Sequence, residues 1–493
     1  MIDVASGDLT AIREALARAL GSTRVSDRPL DRLAYGHDTW PVALKAPGET
    51  QWQPDLVAWP GSVDDVVAVV RIAAGAGLPI VPVGGLSGIV GGALAVRGGI
   101  ALDLLAMNRV LDIDEISGLV RVEAGILGAN LEDALAARGL TTGHLPQSIH
   151  SSTVGGWIAH RAAGIASTKY GKIETIVRGM RVVLADGSVL NTSTAPASAS
   201  GPMLHSLFFG AEGTLGVVVE ATLAVQPLPA ERRWVAYGFA SDTAASDDAA
   251  DATFLRSLEV VRRILRRGYR PAIIRAYDPA EAGPLLARAG LDPATVPGGR
   301  ALLLVGAEGE APIVSAELGA VAREAADVGG VDLGPGPAEA WSAHRFDTSW
   351  LLGAVRGSGS IGDALEVAAS WRRLPGVYVA MRAAMREACG PDGAVVAHLS
   401  HAYPDGGNLY MIFRTEQGSD RAAIERYPAV VDAALGACLA AGGTVSHHHG
   451  IGLGKARWFE REVGPVGLSV IRRQKAALDP AGTFNPGKLG GAA

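Results

Sequence analysis

Apolar residues recur along this chain at two periods, and the change from one period to the other lays out its elements. Leu9–Leu20 carries apolar positions at helical spacing and predicts a helix. Leu56-Val-Ala-Trp59 is a short continuous apolar run, as a buried strand requires. After Pro60-Gly61, Ser62 can cap a helix in which Val66, Val67, Val70 and Ile72 return at roughly helical spacing. Ile80–Val83 and Ile100–Leu104 predict two more buried strands, and Val110–Ile113 and Leu119–Val122 two short ones split by turn residues. Gly125–Gly139 predicts an amphipathic helix with Leu127, Leu131 and Leu135 in register. Val177–Leu184 and Val189–Asn191, joined through Asp186-Gly187, give a hairpin signal, and Val217–Leu223 a further strand.

Composition shifts after Pro227 and Pro229. From there strands at Trp234–Phe239, Ala272–Tyr277, Ala301–Val305, Ala394–Leu399 and Leu409–Phe413 alternate with long helices rich in Ala, Arg and Glu. The pattern predicts an α+β domain with a largely antiparallel sheet. The chain divides into an N-terminal helical segment (1–50), a first domain (51–229), a second (230–440) and a C-terminal segment (441–493) that returns to the first.

Composition narrows the function classes. At 493 residues the chain exceeds one core, and 48% apolar with 19% charged residues describe a well-buried protein. A net charge of −6 gives no nucleic-acid footprint. The run Arg262-Arg263 and Arg266-Arg267 ends a helical pattern opened by Asp247-Asp248, the order a helix dipole favours. Cys389 and Cys438 are too few and too far apart for a disulfide scaffold, so a cytoplasmic location is expected. No secretory pattern opens the chain. The uncharged stretch Gly77–Val96 holds Pro79, Pro82 and many glycines, so no integral membrane segment is expected.

The chemistry concentrates in few stretches. Ile80–Val83 runs into Gly84, Gly85, Leu86, Ser87 and Gly88, then Gly91 and Gly92. Such a backbone can approach an anion without side chains in the way. No Lys-Ser/Thr closes the loop as in a P-loop, and no helix follows as in a dinucleotide fingerprint. The loop joins strand to strand. Thr142–Gly156 sets small hydrogen-bonding residues among glycines, and Gly210–Gly216 offers Glu212 and Thr214 beside further glycines. Three such loops at strand ends in one domain predict a nucleotide-type cofactor. Ser446-His447-His448-His449-Gly450 is the other feature. On an extended chain His447 and His449 face one way and His448 the other, so the triplet does not converge on one metal, and no metal site is expected. Imidazoles there suit proton handling and substrate orientation. Tyr403 and Tyr410 flank a turn and can carry hydroxyls into a pocket, while Asn485 and Lys488 sit where the chain end returns.

These segments, in this order, resemble the FAD-binding oxidoreductases of the vanillyl-alcohol oxidase superfamily, and within it the alkyldihydroxyacetonephosphate synthases. The likeness runs from about His37 to Leu489. It rests on Thr142-Gly-His144, Ser152–Trp157, Arg161, Tyr170-Gly171 with Ile173-Glu174, Glu212–Gly216, Tyr410 and Ser446–Gly450. The resemblance implies a PCMH-type FAD-binding domain of two α/β subdomains at 51–229 and an α+β cap carrying the substrate pocket. It implies FAD held by Pro82, Gly84, Gly85, Leu86, Ser87 and Gly88, by His144, Pro146, Ser148, Ser152, Thr153, Gly155 and Gly156, and by Glu212, Gly213, Thr214, Gly216 and Val217. It places Tyr410 and the triplet His447, His448 and His449 over the flavin as catalytic residues and Arg275 on the substrate side.

Three departures shape the functional expectation. Leu86 stands where relatives with histidyl-linked flavin carry His, so the FAD is expected to be non-covalent. The synthases' phosphate-binding arginine falls on Leu352, with Arg356 one helical turn later and Arg345 two turns earlier. Dehydrogenases of 2-hydroxy acids carry a metal-binding His where Tyr410 stands. Without a fixed cation for phosphate, hydride removal from an alcohol or hydroxy acid is expected, with a small-molecule substrate. The alternatives are the synthases' redox-neutral exchange of acyl for alkyl, in which Tyr410 and His449 would serve the proton transfers, and non-catalytic FAD binding. A homodimer is compatible with this reading.

Overall fold

The computed structural model describes residues 9–45, 52–240, 247–296, 301–347 and 359–491. Leu352 and Arg356 lie outside the described residues. Three sheets organise the rest. The first orders its strands Val25–Ser26, Leu56–Ala58, Ile100–Asp103 and Ile80–Val83, the last three parallel. The helix Val63–Ala76 covers it, capped by Ser62, whose Oγ accepts the Asp65 amide at 3.1 Å. Val66, Val69, Val70 and Ala73 supply the buried stripe, while Val67 and Ile72 are only partly buried. Residues 84–99 form the crossover between two parallel neighbours with no helix in them.

The second sheet is antiparallel and ordered Val110–Asp114, Leu119–Glu123, Val217–Ala224, Val177–Val183 and Val189–Asn191. The predicted hairpin at Asp186-Gly187 is present in it. The third is a seven-stranded antiparallel sheet ordered Val331–Gly334, Glu231–Phe239, Ala301–Gly309, Ile273–Tyr277, Ala394–Ala402, Gly406–Arg414 and Gly362–Ser370. The class is α+β. Two strands of the large sheet, Val331–Gly334 and Gly362–Ser370, were not legible beforehand. The latter is rich in Ala and Glu, which strands generally disfavour.

Both ends of the chain grip the glycine loop. Asp38 takes the amides of Trp40 and Gly91 at 2.9 Å each, and the Thr39 amide reaches Gly88 O at 2.9 Å. At the other end Ile80 donates to Thr483 O at 2.7 Å and Asn485 donates back to Ile80 O at 2.8 Å. Asn485 Nδ2 bonds Gly92 O and Glu212 O at 2.9 and 2.7 Å, and Lys488 Nζ bonds Leu94 O at 2.9 Å. Among the described residues no helix is long and apolar enough to cross a membrane.

Candidate active site

The strand Gly362–Ser370 pairs Glu366 with Tyr410 of the neighbouring strand. Alternation turns Leu365 and Val367 to the core and Glu366 to the opposite face, where it is fully buried. A lone carboxylate there would be costly. This one has five donors: Lys455 Nζ at 2.8 Å, Ser446 Oγ at 2.6 Å, the amides of His448 and His449 at 3.0 Å each, and the amide of His447. Burial pushes the carboxyl pKa up. Lys455 and the histidines overcome that push and hold it below the ordinary carboxylate range.

That acceptor shapes the histidine loop. Drawing three successive amides onto one carboxylate curls residues 447–449, so their side chains do not alternate. The expected split of His447 and His449 from His448 is therefore corrected. Tyr410 Oη lies 2.7 Å from His448 Nε2 and 3.0 Å from His449 Nε2. His447 turns away, with Nδ1 2.9 Å from His448 Nδ1 and Nε2 2.9 Å from Tyr403 Oη. Ring nitrogens of His401, His447 and His448 lie within 4.8 Å of one another. Burial pulls His449 down to about 4 and His447 to about 3, the latter helped by Lys172, whose Nζ sits 2.6 Å from His447 O. Burial also pushes the Tyr410 hydroxyl above the usual phenol range. At neutral pH the cluster is a set of uncharged bases around a protonated phenol.

Arg275 enters from the strand Ile273–Tyr277. Its guanidinium lies over the Trp341 ring at 4.9 Å, and one nitrogen is 3.3 Å from His398 Nε2. The His398 ring stacks on Tyr410 at 4.9 Å and 11°. Arg275 has no carboxylate partner among the described residues, and its Nε is buried without an acceptor.

The three loops meet in the first domain. A Cβ on Gly85 would sit 1.6 Å from Ser151 O, one on Gly84 2.3 Å from Thr153 Oγ1, and one on Gly213 3.1 Å from Pro82. Side chains expected to meet a ligand are partly spent on the loops themselves. Thr153 Oγ1 caps the helix Val154–His160 through the Gly156 amide, Ser152 Oγ takes the Trp157 indole at 2.8 Å, and Thr214 Oγ1 bonds Ala211 O at 2.7 Å. Glu212 accepts from the amides of Ile451 and Gly452 at 2.5 and 2.9 Å, so it ties the loop to the histidine segment. Pro146 and Ser148 offer carbonyls to a local turn, Gly155 packs on Ala124, and Gly216 and Val217 lead into the strand Val217–Ala224.

Residues 54–193 match the model of the FAD binding domain, and residues 249–489 that of the FAD linked oxidases, C-terminal domain. The chain is 30% identical over 479 residues to the alkyldihydroxyacetonephosphate synthase of Trypanosoma brucei brucei, spanning 92% of this chain and 75% of that one. The chain belongs to the FAD-linked oxidases of the vanillyl-alcohol oxidase superfamily. Against glycolate oxidase subunit GlcD of Bacillus subtilis (strain 168), this FAD-linked oxidase is 26% identical over 97% of its length and 96% of the relative's. A solved alkyldihydroxyacetonephosphate synthase has the same fold, with a TM-score of 0.79 at 23% identity over 97% of this chain and 85% of that one. A p-cresol methylhydroxylase with substrate bound also reaches 0.79, at 18% identity over 99% and 98%.

The enzyme's cofactor is FAD, and the loops fit it. Among the described residues nothing takes the amides of Gly84, Gly85, Leu86, Ser87 or Gly88, a row of donors suited to a diphosphate. His144 is fully buried and packs tilted against Trp157, ring centroids 4.6 Å apart, with both ring nitrogens unpartnered. Leu86 holds a left-handed backbone, φ 51°, that turns the loop. Of the three loops only Gly210–Gly216 borders the cavity of about 1170 Å³ that is lined in part by His160, Arg161, Lys172, Glu212, His447 and His448.

Sequence reasoning missed Glu366, Lys455, His398, His401 and Ser167. Glu366 sits in no motif. His398 and His401 left one signal, two histidines in an otherwise apolar strand.

Proposed function

We propose that this FAD-linked oxidase oxidises a hydroxy acid, with Arg275 holding the carboxylate and Tyr410, His448 and His449 receiving the hydroxyl. The observation that carries the reading is Arg275: a guanidinium walled by Trp341, Tyr277 and His398, with a buried unsatisfied Nε and no carboxylate partner among the described residues, beside a cluster of neutral bases. A half-buried cation of this kind is matched by a substrate anion, which it can bind bidentately.

The amides of Gly84–Gly88 and the side of His144 would hold the FAD, which when bound supplies a two-electron acceptor. The chain's part is the proton. Tyr410, kept protonated by burial, bonds both His448 and His449 and fixes their rings. His449 Nδ1 is buried and unpartnered, 3.7 Å from Glu366 Oε1. Tyr410 can take the hydroxyl proton as it gives its own to the neutral His449 at Nε2, while Glu366 beside Nδ1 offsets the charge. Leu86 offers no nucleophile, so the flavin is released by acid.

The likeness to the synthases over 92% of the chain favours a second reading, redox-neutral exchange on an ester phosphate. Anaerobic rapid mixing separates the two. Hydroxy acids are expected to bleach the flavin lastingly, and Tyr410→Phe to slow bleaching ~10²-fold with flavin content unchanged. Arg275→Met is expected to abolish the preference for acids over uncharged alcohols. Turnover of an acyl ester phosphate without net bleaching, with hydroxy acids inert, would overturn the oxidation reading.

A further inference from the structure

The expectation of no metal site rests on alternating side chains at His447, His448 and His449, and the curl imposed by Glu366 removes that ground. His401, on the strand Ala394–Ala402, joins the first two. The three ring centroids form a nearly equilateral triangle, 5.2 Å from His401 to His447, 5.0 Å from His401 to His448 and 5.1 Å from His447 to His448. Ring nitrogens of the three lie within 4.8 Å of one another, and Nδ1 of His447 is 2.9 Å from Nδ1 of His448. Tetrahedral zinc binds imidazole nitrogen at ~2.0–2.1 Å, which sets ligand nitrogens roughly 3.3 Å apart and ring centroids roughly 5 Å apart. The triangle already has that size.

Each ring is also held from outside by a hydroxyl. Ser167 Oγ lies 2.8 Å from His401 Nδ1, Tyr403 Oη 2.9 Å from His447 Nε2, and Tyr410 Oη 2.7 Å from His448 Nε2. That leaves Nε2 of His401 and Nδ1 of the other two for an ion. A hydrogen-bond partner on the far nitrogen of each ring orients a metal-binding imidazole. Lys172 Nζ, 2.6 Å from His447 O, opposes a cation here, and Glu366 Oε2, 3.6 Å from His448 Nδ1, offsets it. His447 and His448 border the cavity of about 1170 Å³, so an ion has a path in.

We propose that His401, His447 and His448 bind a divalent transition-metal ion of the zinc class, and that the ion fixes the tautomers of the site. Three imidazoles suit that class and leave a fourth position open. Tyr410 stands outside the ligand set, unlike the metal-binding His that dehydrogenases of 2-hydroxy acids carry at its position. With Nδ1 of His448 taken, its Nε2 carries the hydrogen and donates to Tyr410 Oη. Tyr410 then has His449 Nε2, at 3.0 Å, as the acceptor for its own hydrogen. That is the direction in which Tyr410 gives up its proton under the hydroxy-acid reading, on which the role of the ion rests. Binding balances: the hydrogen now on one of the two facing Nδ1 atoms moves to Nε2 of the same ring, and no proton is gained or lost. The ion positions the bases and takes no electrons.

The test uses the FAD-loaded enzyme, freed of metal by a chelator and titrated with zinc chloride in a calorimeter. One zinc per chain is expected, with imidazole nitrogen neighbours by X-ray absorption at the zinc edge. His401→Gln and His447→Gln are expected to weaken binding by at least ~10²-fold, and Tyr403→Phe, which removes only an outer partner, by ~10-fold. Flavin absorbance and the urea midpoint check each fold, and where a ligand variant loses its flavin, Tyr403→Phe and Ser167→Ala carry the comparison. Histidine ¹⁵N shifts are expected to report Nε2–H at His448 once zinc is bound. No saturable binding at micromolar zinc overturns the site, as does binding that the variants leave unchanged. Equal rates of flavin reduction with and without zinc overturn the role. Failure of every hydroxy acid to reduce the zinc-loaded enzyme overturns the substrate reading instead, and the calorimetry still decides the site.

Discussion

Replacing Glu366 by Gln tests whether one buried carboxylate organises the site. Its Oε1 takes Lys455, Ser446 and the His449 amide, and its Oε2 takes the amides of His447 and His448. A glutamine presents an NH₂ in place of one oxygen. Whichever way it turns, at least two donors then face another donor. Lys455, itself buried, loses its counter-charge. Breaking a buried ion pair from one side costs ~3–5 kcal/mol, a large share of the ~5–15 kcal/mol that holds a typical protein folded. The loop carrying His447, His448 and His449 would open with it. We expect Glu366→Gln to unfold at clearly lower urea and to lose turnover by more than ~10²-fold. The double variant Glu366→Gln/Lys455→Met sharpens the test, since no unpaired cation remains. It should recover part of the stability and none of the turnover, because the three amides still lack their acceptor. A single variant with a wild-type urea midpoint and turnover would refute the reasoning, as would a double variant less stable than the sum of the two singles.

Two further outcomes follow from the site. His449, drawn down by burial to about 4, stays unprotonated in the folded state between that value and the ordinary 6.5 while the unfolded chain takes up the proton. It therefore contributes a stability penalty that is absent above pH 6.5 and grows as pH falls toward 4. Asp38, Asp278 and Asp363, pushed up by burial to about 7, 7 and 6, act with the opposite sign but are common to wild type and His449→Gln. The variant should lose less stability than wild type between pH 6.5 and 5 in urea melts at matched buffers, and equal losses would place His449 in solvent. Gly85→Ala should yield a protein without bound flavin, because its Cβ would fall 1.6 Å from Ser151 O and force apart two loops at the cofactor. Normal flavin absorbance in the purified variant would count against that packing.

Legibility from sequence followed the range of the interactions. Helix Leu9–Leu20, the Ser62 cap and the Asp186-Gly187 hairpin depend on neighbours a few residues apart, and they were readable. Tyr410 and the histidine triplet stood out as residue types, and the structure joins them. Their facing did not follow, because an acceptor some eighty residues upstream bends the loop. Glu366 itself was hidden in a stretch of helix-forming residues whose strand identity comes from pairing with Gly406–Arg414. Ser167 meets His401 across 234 residues, a contact without local trace.

The grip of both chain ends on the glycine loop has a consequence for synthesis. Asn485 reaches Gly92 across 393 residues of chain. At ~5–20 residues per second a ribosome needs roughly 20–80 s to make that stretch. Throughout that interval Ile80 lacks the neighbours that Thr483 and Asn485 provide, and the strand Ile80–Val83 has a bare edge of the kind that invites pairing with other chains. The nascent chain therefore closes its glycine loop only once residues 483–485 have been made, and a chain that stops short of Thr483 carries every flavin-facing loop yet lacks the strap that holds them.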